Sequence, residues 1–284
     1  MAPTILEILQ ASEFRLQGVD SPRLSAEVIV SEILGCTRLN LALNRDHAVD
    51  ADDVERINAF VTRRANGEPL AYILNKREFY GLDFHVSSDV LIPRPETEHI
   101  IEKVEDLYPK DACFQFADLG TGSGILAVTI AHLFPYSKGL AVDLSPGALG
   151  VAEKNALAHG VLNQLSFING DFTQPLLEVD QYDLIVSNPP YVPQQEYDEA
   201  SFEVTDFEPE AALVSGEDGL EHIRAMLPHV TIALKSGGYF LMEIGYQHGD
   251  LLRGIITTQF SEFSMVSVLK DLSEHDRVVF LQKK

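Results

Sequence analysis

The sequence has little cysteine and no long apolar run. Its two cysteines, Cys36 and Cys113, lie far apart and lack metal-type spacing, which fits a reducing compartment. No apolar stretch approaches the roughly 18 residues of a membrane span, and the first residues lack the positive segment of a signal peptide. We therefore expect a soluble, cytoplasmic protein that does not bind membranes.

Basic residues are also scarce. Lys and Arg number 21 against 43 Asp and Glu, so the formal net charge is −22. An acidic surface repels nucleic acid backbones unless a local basic patch compensates, and the sequence shows no such patch. The nine histidines form no HExxH or similar spacing, and we assign His222 and His229 to packing. The sequence therefore predicts no metal site and no stable nucleic-acid binding.

The chain is long and apolar enough for one large or two ordinary domains, with 284 residues of which 45% are hydrophobic. Apolar residues at helical spacing predict a helical bundle over residues 1–75. Ser21 is the expected N-cap of one helix, with Pro22 in its first turn, and another helix follows Asp50. This domain is either a support or a docking site for a partner.

Residues 76–90 predict a β-hairpin linker, because aromatic strand formers flank a turn at Gly81. The next segment contains Arg94 and Glu96 between prolines, with a helix beginning at Glu96 or Thr97. Such a stiff loop either lines a pocket or simply connects two elements.

From about residue 91 to 284, strands alternate with helices, which predicts a mostly parallel sheet covered by helices. The first strand ends in a glycine-rich loop whose residues are Gly120, Thr121, Gly122, Ser123 and Gly124. Glycines let the backbone approach a ligand while the next helix presents free N–H groups. The loop fits neither a dinucleotide fingerprint, whose third glycine would replace Ile125, nor a P-loop, which needs a lysine.

Polar and aromatic residues follow the next two strands. Asp143 ends the second strand, where a carboxylate can accept hydrogen bonds from a ribose diol. The third strand, residues 165–169, leads to Asp171 and Phe172, which can bond and stack an adenine. Three such features at successive strand ends predict a nucleoside site.

The fourth strand, residues 182–187, is followed by Asn188, Pro189, Pro190 and Tyr191. The prolines have no N–H, so this corner is rich in acceptors. The side-chain oxygen of Asn188 and the carbonyl of Pro189 could hold a group with two N–H donors, and Tyr191 could cover its flat face. The alternative is a strand-ending turn with a buried tyrosine.

A long irregular stretch is predicted over residues 192–218. It is either an acidic lid that faces a basic partner or a solvated loop. Its carboxylates are Glu196, Asp198, Glu199, Glu203, Asp206, Glu208 and Glu210. The predicted elements that complete the sheet are a helix at 220–234, a strand at 239–244, a helix at 251–256 and strands near 266–269 and 278–281.

With these residues in view, the chain resembles the class I methyltransferases that use S-adenosylmethionine, and more closely the release factor glutamine methyltransferases of the HemK/PrmC family. The resemblance runs from Gly67 onward. Phe172 departs from the tryptophan frequent in the family. The matching segments are Gly67-Glu68-Pro69, Tyr72-Ile73, Arg77-Glu78-Phe79, Leu91 to Glu98, Asp118 to Gly124, Val142-Asp143, Ser187 to Tyr191 and Phe207-Glu208-Pro209.

The resemblance implies a Rossmann-like, mostly parallel seven-stranded sheet with an antiparallel last strand. It implies methyl transfer to the glutamine amide in the Gly-Gly-Gln motif of class I release factors, in support of translation termination, by a monomer. The implied catalytic residues are Asn188, Pro189 and Tyr191, and the implied substrate site is Asn188 to Tyr191. The implied cofactor-binding residues are Gly120, Thr121, Gly122, Ser123, Gly124, Asp143, Asp171, Phe172 and Asn188.

Two other functions share some of these features. A nucleic-acid adenine methyltransferase also offers Asn-Pro-Pro-Tyr to an amine with two N–H donors, but the net charge of −22 disfavours it. A binding module could hold the cofactor without chemistry, and the intact Asn188 and glycine-rich loop disfavour that. A turnover assay separates these cases.

Overall fold

The computed structural model describes residues 2–271 and 273–284, which form two compact units. The first unit contains the residues up to Lys76 together with Ser201–Phe207, and the second contains Arg77–Ala200 and Glu208–Lys284. In the described part of the chain, no helix combines the length and apolarity needed to cross a membrane.

The elements follow one another as a helical segment, a hairpin and then alternating strands and helices. The helices are α1 Ile5–Arg15, α2 Pro22–Ile33, α3 Arg38–Leu43, α4 Ala51–Ala65, α5 Leu70–Leu74, α6 Glu98–Leu107, α7 Ile125–Leu133, α8 Pro146–Ala158, α9 Gln194–Asp198, α10 Phe202–Phe207, α11 Glu221–Ala233 and α12 Gly249–Gln259. The strands are β1 Lys76–Phe79, β2 Leu82–His85, β3 Gln115–Leu119, β4 Lys138–Asp143, β5 Leu165–Asn169, β6 Tyr182–Ser187, β7 Leu234–Glu243, β8 Phe263–Lys270 and β9 Asp276–Lys283.

The first unit packs its helices around one apolar cluster, centred on Ile29, Val30 and Ile57. Helix α2 begins at Pro22 as the sequence predicts, but Ser21 does not cap it with a hydrogen bond. Ser21 is in the left-handed region at φ 52°, and its side chain makes no capping bond. A serine caps a helix from extended backbone, so the predicted side-chain cap is wrong.

The short helix α10 belongs to this first unit. Arg64 is buried, and its guanidinium lies 2.7 Å from the carboxylate of Glu203 and donates to the carbonyl of Glu68 at 3.0 Å. Gly67 sits at φ +92°, and a Cβ there would come within 2.8 Å of the Phe202 ring. The predicted irregular stretch therefore contains short helices, and Glu203 is an ion-pair partner and not a free lid carboxylate.

The hairpin of β1 and β2 packs into the second unit. Phe79 and Phe84 are fully buried in one of its core clusters. Asn155 of α8 fixes the hairpin, since it accepts from the N–H of His85 at 2.7 Å and donates to the carbonyl of the same residue at 2.9 Å. It also donates to the carbonyl of Ser123 at 2.8 Å, so one buried side chain holds both the hairpin and the glycine-rich loop.

The second unit is built on a seven-stranded sheet in the order β5-β4-β3-β6-β7-β9-β8. All neighbours pair in parallel except β9, which is antiparallel to β7 and β8. Helices cover both faces, and the sequence-based prediction of this class I methyltransferase sheet is confirmed. Leu119 is in register with both Val142 and Ser187, so the loops after the central strands leave from one edge.

Candidate functional site

A cavity of about 370 Å³ lies at this carboxyl edge of the sheet, within the range of about 300–1,000 Å³ typical of small-molecule sites. Among the described residues that line it are Gly120, Thr121, Gly122, Ser123, Asp143, Asp171, Phe172, Asn188 and Pro190. Of the other predicted site residues, Gly124, Pro189 and Tyr191 are not part of its wall. Leu91, Pro93 and Arg94 also line it, so the 91–98 loop contributes to the pocket.

The glycine-rich loop is held open by backbone geometry. Gly120, Gly122 and Gly124 all have positive φ, at 73°, 54° and 82°, where residues with a Cβ are strained. The N–H groups of Gly120 and Thr121 both donate to the carbonyl of Val142 at 2.9 Å. A Cβ on Gly124 would come within 3.1 Å of Ala152, so Gly124 lets α7 pack closely on α8.

Asp143 fixes the same loop from the end of β4. Its two carboxylate oxygens accept from the N–H of Gly122 at 2.8 Å and from the N–H of Ser145 at 2.9 Å. Ser145 caps α8, since its hydroxyl oxygen accepts from the N–H of Ala148 at 3.2 Å. Burial raises the pKa of Asp143, while the hydrogen bonds from Ser145 and Gly122 oppose that shift. The carboxylate therefore holds the loop in addition to facing the cavity.

Asp118, at the end of β3, has a role that the sequence analysis missed. It is fully buried, and its Oδ2 accepts from the Thr121 hydroxyl at 2.7 Å and from the N–H of Ala127 at 3.1 Å. Its Oδ1 has no hydrogen-bond partner in the described part of the chain, and Asp118 lines the cavity. Burial raises the pKa of this carboxyl to about 7. The sequence does contain a signal for this role, namely an acidic residue within an otherwise apolar strand.

Asp118→Asn is expected to flatten the pH dependence of stability. The pKa of an unperturbed aspartate is 3.8, and burial in the folded chain raises the pKa of Asp118 to about 7. Between these values the unfolded chain binds fewer protons, so the free energy of unfolding falls as pH rises through this window. Asparagine removes this loss. In thermal melts from pH 5 to pH 8, we expect the wild-type Tm to fall at least about 3 °C further than that of the variant. Parallel curves would contradict the assignment, since all other groups are shared.

Asp171 and Phe172 lie in the cavity wall after β5. The Oδ1 of Asp171 accepts from the hydroxyl of Thr173 at 2.6 Å and from its N–H at 2.9 Å, and these bonds lower the pKa of Asp171. The Phe172 ring lies 6.2 Å from the His222 ring, which also lines the cavity. His222 is thus a wall residue in addition to a packing one, whereas His229 Nε2 donates a hydrogen bond to the carbonyl of Thr173 at 3.0 Å.

Asn188 and Tyr191 join a network of buried side chains. The carboxamide nitrogen of Asn188 donates to the Thr97 hydroxyl at 3.1 Å, which donates to Glu243 Oε2 at 2.6 Å. The Tyr191 hydroxyl donates to Glu243 Oε1 at 2.8 Å. Burial raises the pKa of Glu243 and, together with that carboxylate, the pKa of Tyr191. Sequence reasoning assigns no role to Thr97 or Glu243, because the partners are far apart in the chain. For Thr97 the one signal is its place in the 91–98 segment of the family resemblance.

Glu208 is not the exposed lid carboxylate that the sequence suggests. It is buried, and its Oε1 lies 2.6 Å from the Arg94 guanidinium while Oε2 accepts from the N–H of Ile92 at 3.1 Å. Arg94 lines the cavity. This ion pair therefore connects the segment before α11 to the 91–98 loop. Within the described residues, no cluster of three or more His, Cys, Asp or Glu side chains could hold a metal ion.

Comparison with known proteins gives one consistent family. The model of the PrmC N-terminal domain matches residues 7–74, and that of the methyltransferase small domain matches residues 100–208. The chain is 44% identical to a release factor glutamine methyltransferase of Nitratidesulfovibrio vulgaris, over 99% of this chain and 95% of that protein. It is 41% identical to one of Koribacter versatilis over 99% of each chain, and 35% identical to one of Caulobacter vibrioides over 98% and 96%.

Two solved structures show the same fold at low identity. The hMettl16 catalytic domain in complex with a MAT2A 3′UTR hairpin matches 78% of this chain and 81% of its own, with a TM-score of 0.59 and 17% identity. A putative rRNA methylase from Clostridium thermocellum matches 69% of this chain and 100% of its own, with a TM-score of 0.50 and 12% identity. At these identities the similarity concerns the fold alone.

Proposed function

Because this chain belongs to the release factor glutamine methyltransferase family, we propose that it methylates the side-chain amide nitrogen of the glutamine in the Gly-Gly-Gln motif of class I peptide chain release factors. The methyl donor of the family is S-adenosylmethionine. The observation that carries the proposal is the position of Asn188. Asn188 directly follows β6 and lines the same cavity as Gly120 and Asp143.

The cavity residues fit a nucleoside cofactor that also carries positive charge. Asp143 offers acceptors for a ribose, and Asp171 with Phe172 offers an acceptor and a ring for adenine. Asp118 Oδ1 is buried and has no hydrogen-bond partner among the residues that the structure describes. It suits a cationic ligand, because a positive charge offsets the cost of ionising a buried carboxyl. Gly120 to Ser123 bring backbone close to the ligand, and Gly124 supplies the turn. The cofactor, when bound, supplies the methyl group from its sulfonium.

The substrate amide is a poor nucleophile, because its lone pair is delocalised into the carbonyl. In the proposed mechanism, Asn188 Oδ1 and the Pro189 carbonyl accept the two N–H bonds, which aims the nitrogen at the methyl group. Pro190 has no N–H to compete for these acceptors. Tyr191 packs against the amide while its hydroxyl stays bonded to Glu243. Such positioning contributes several kcal/mol, up to about 7–11 in ideal cases.

The proposal is tested by incubating the protein with labelled S-adenosylmethionine and a class I release factor, followed by mass mapping. The matched control is the same release factor with the motif glutamine replaced by alanine. Label is expected on that glutamine and nowhere in the control. An unlabelled release factor, or label that persists in the control, would refute the function.

Association with the release factor is expected to slow as salt rises, because we propose that a basic partner is attracted to this acidic protein. The net charge is −22, and among the carboxylates between residues 196 and 210 the exposed ones are Glu196, Asp198, Glu199, Asp206 and Glu210. Steered association falls steeply with ionic strength. Stopped-flow measurements from 50 to 500 mM salt should show a decrease of about tenfold or more.

A variant with Asp198→Asn and Glu199→Gln is the matched control for the salt experiment. Both side chains are exposed, so stability should change little. The variant should associate more slowly than the wild type at low salt and equally fast at high salt. If the association rate of the wild type does not change with salt, the segment between residues 196 and 210 is a solvated loop that does not attract the partner.

A further inference from the structure

The Thr97 hydroxyl occupies a constrained place in the network behind the cavity wall. It has one proton, which it gives to Glu243 Oε2 at 2.6 Å, so it meets the Asn188 carboxamide at 3.1 Å as an acceptor. Thr97 and Glu243 are both fully buried. We propose that Thr97 and Glu243 are positioning residues that fix the orientation of the Asn188 carboxamide and thereby select glutamine over glutamate as substrate, an inference that rests on the proposed function.

The carboxyl group of Glu243 determines which group donates in each hydrogen bond of this network. Both oxygens of Glu243 receive a hydroxyl, one from Thr97 and one from Tyr191, so the single proton of the Thr97 hydroxyl points at Glu243. If the Asn188 carboxamide turned over, its oxygen would face the Thr97 oxygen with no proton between them. Leaving buried acceptors unmatched is costly. The nitrogen therefore stays on Thr97, and the oxygen is kept for the opposite side.

The backbone holds the members of this network in place. Glu243 ends β7, and Asn188 follows β6, whose last residue Ser187 is in register with Met242. The two residues are thus next to each other at the edge of the sheet. Thr97 ends the short helical turn Pro95–Thr97, whose proline restricts the backbone. Regular structure therefore positions the three hydrogen-bonded groups, which are the Glu243 carboxyl group, the Thr97 hydroxyl and the Asn188 carboxamide.

A fixed carboxamide has a consequence for specificity. In the proposed mechanism the substrate amide meets two acceptors, the Asn188 oxygen and the Pro189 carbonyl, which match the two N–H bonds of a glutamine amide. A glutamate carboxylate of the same shape has no donors and meets two acceptors, so it is rejected. If Asn188 were free to turn, its nitrogen could donate to the carboxylate and the rejection would weaken.

The test compares Thr97→Val, which keeps the shape and removes the hydroxyl, with Thr97→Ser, which keeps the hydroxyl. Four quantities are measured: kcat and KM for the release factor, cofactor affinity by calorimetry, and inhibition by a release factor whose motif glutamine is replaced by glutamate. For Thr97→Val we expect kcat to fall about tenfold with cofactor affinity unchanged. Inhibition by the glutamate form, relative to KM, should tighten at least about fivefold. Thr97→Ser should behave as the wild type.

The inhibition ratio separates positioning from general damage, because a disturbed fold would weaken both ligands together. Thermal melting checks the fold, and Thr97→Ala repeats the test without a branched side chain. A folded Thr97→Val or Thr97→Ala protein with wild-type kcat and wild-type discrimination would overturn the inference. If the wild type itself fails to methylate the release factor, the proposed function fails instead, so the two failures are distinct.

Discussion

Asn188→Ala is expected to reduce turnover by about 100-fold or more while the protein stays folded. The substitution removes the side-chain oxygen that aims the substrate amide, and loss of a positioning contact at the reacting atom can cost about 100-fold. The fold should tolerate it, because the carboxamide bonds Thr97 at 3.1 Å and a single such bond is worth about 1 kcal/mol. Single-turnover kinetics with the release factor measure the effect.

The matched readouts for this variant are thermal melting and cofactor calorimetry. Cofactor affinity should be largely kept, since the glycine-rich loop, Asp143 and Phe172 are untouched. A well-folded Asn188→Ala protein that methylates the release factor at a near-normal rate would remove Asn-Pro-Pro-Tyr from the mechanism.

Asp143→Ala is expected to weaken cofactor binding by about 10- to 150-fold, which corresponds to about 1.5–3 kcal/mol for hydrogen bonds to a charged group. The structure adds a second reason, because Asp143 also holds the N–H of Gly122 at 2.8 Å. Its loss frees the loop that the cofactor must approach. Affinity should therefore fall more than the rate of the chemical step, as measured by calorimetry and by turnover at saturating cofactor.

Asp143→Asn is the control for this variant, since it keeps the shape and one acceptor oxygen. Its affinity should lie between those of the wild type and the alanine variant. Equal affinity in wild type and Asp143→Ala would show that Asp143 does not contact the cofactor.

The strands of the sheet could be predicted where sharp breakers bound them. Strands β5 and β6 have the predicted limits, because a glycine follows Asn169 and a double proline follows Asn188. The sequence predicts β7 five residues short at its start, because Lys235 to Gly238 carry little strand propensity and lie at an irregularity, where the pairing with β6 passes from Leu234 to Tyr239. The helical content of the 192–218 segment was missed, because those helices have only five or six residues.

Site residues could be predicted from the sequence where a polar side chain ends or directly follows a strand, as Asp143 and Asn188 do. It was not predictable where a role depends on a distant partner. Thr97 and Glu243 are separated by 146 positions, and Glu208 lies 114 positions from Arg94, so only the fold brings them together. The roles of the predicted site residues in binding and catalysis stay predictions.

Asn155 connects the β1–β2 hairpin to the glycine-rich loop through hydrogen bonds. Its single carboxamide grips His85 by both backbone groups and also holds Ser123. A displacement of the hairpin would therefore pull directly on the loop at the cavity, by a path that does not pass through the sheet. The hairpin and the glycine-rich loop are therefore joined through one buried side chain, so the placement of the loop at the cavity depends partly on two strands that lie outside the main sheet.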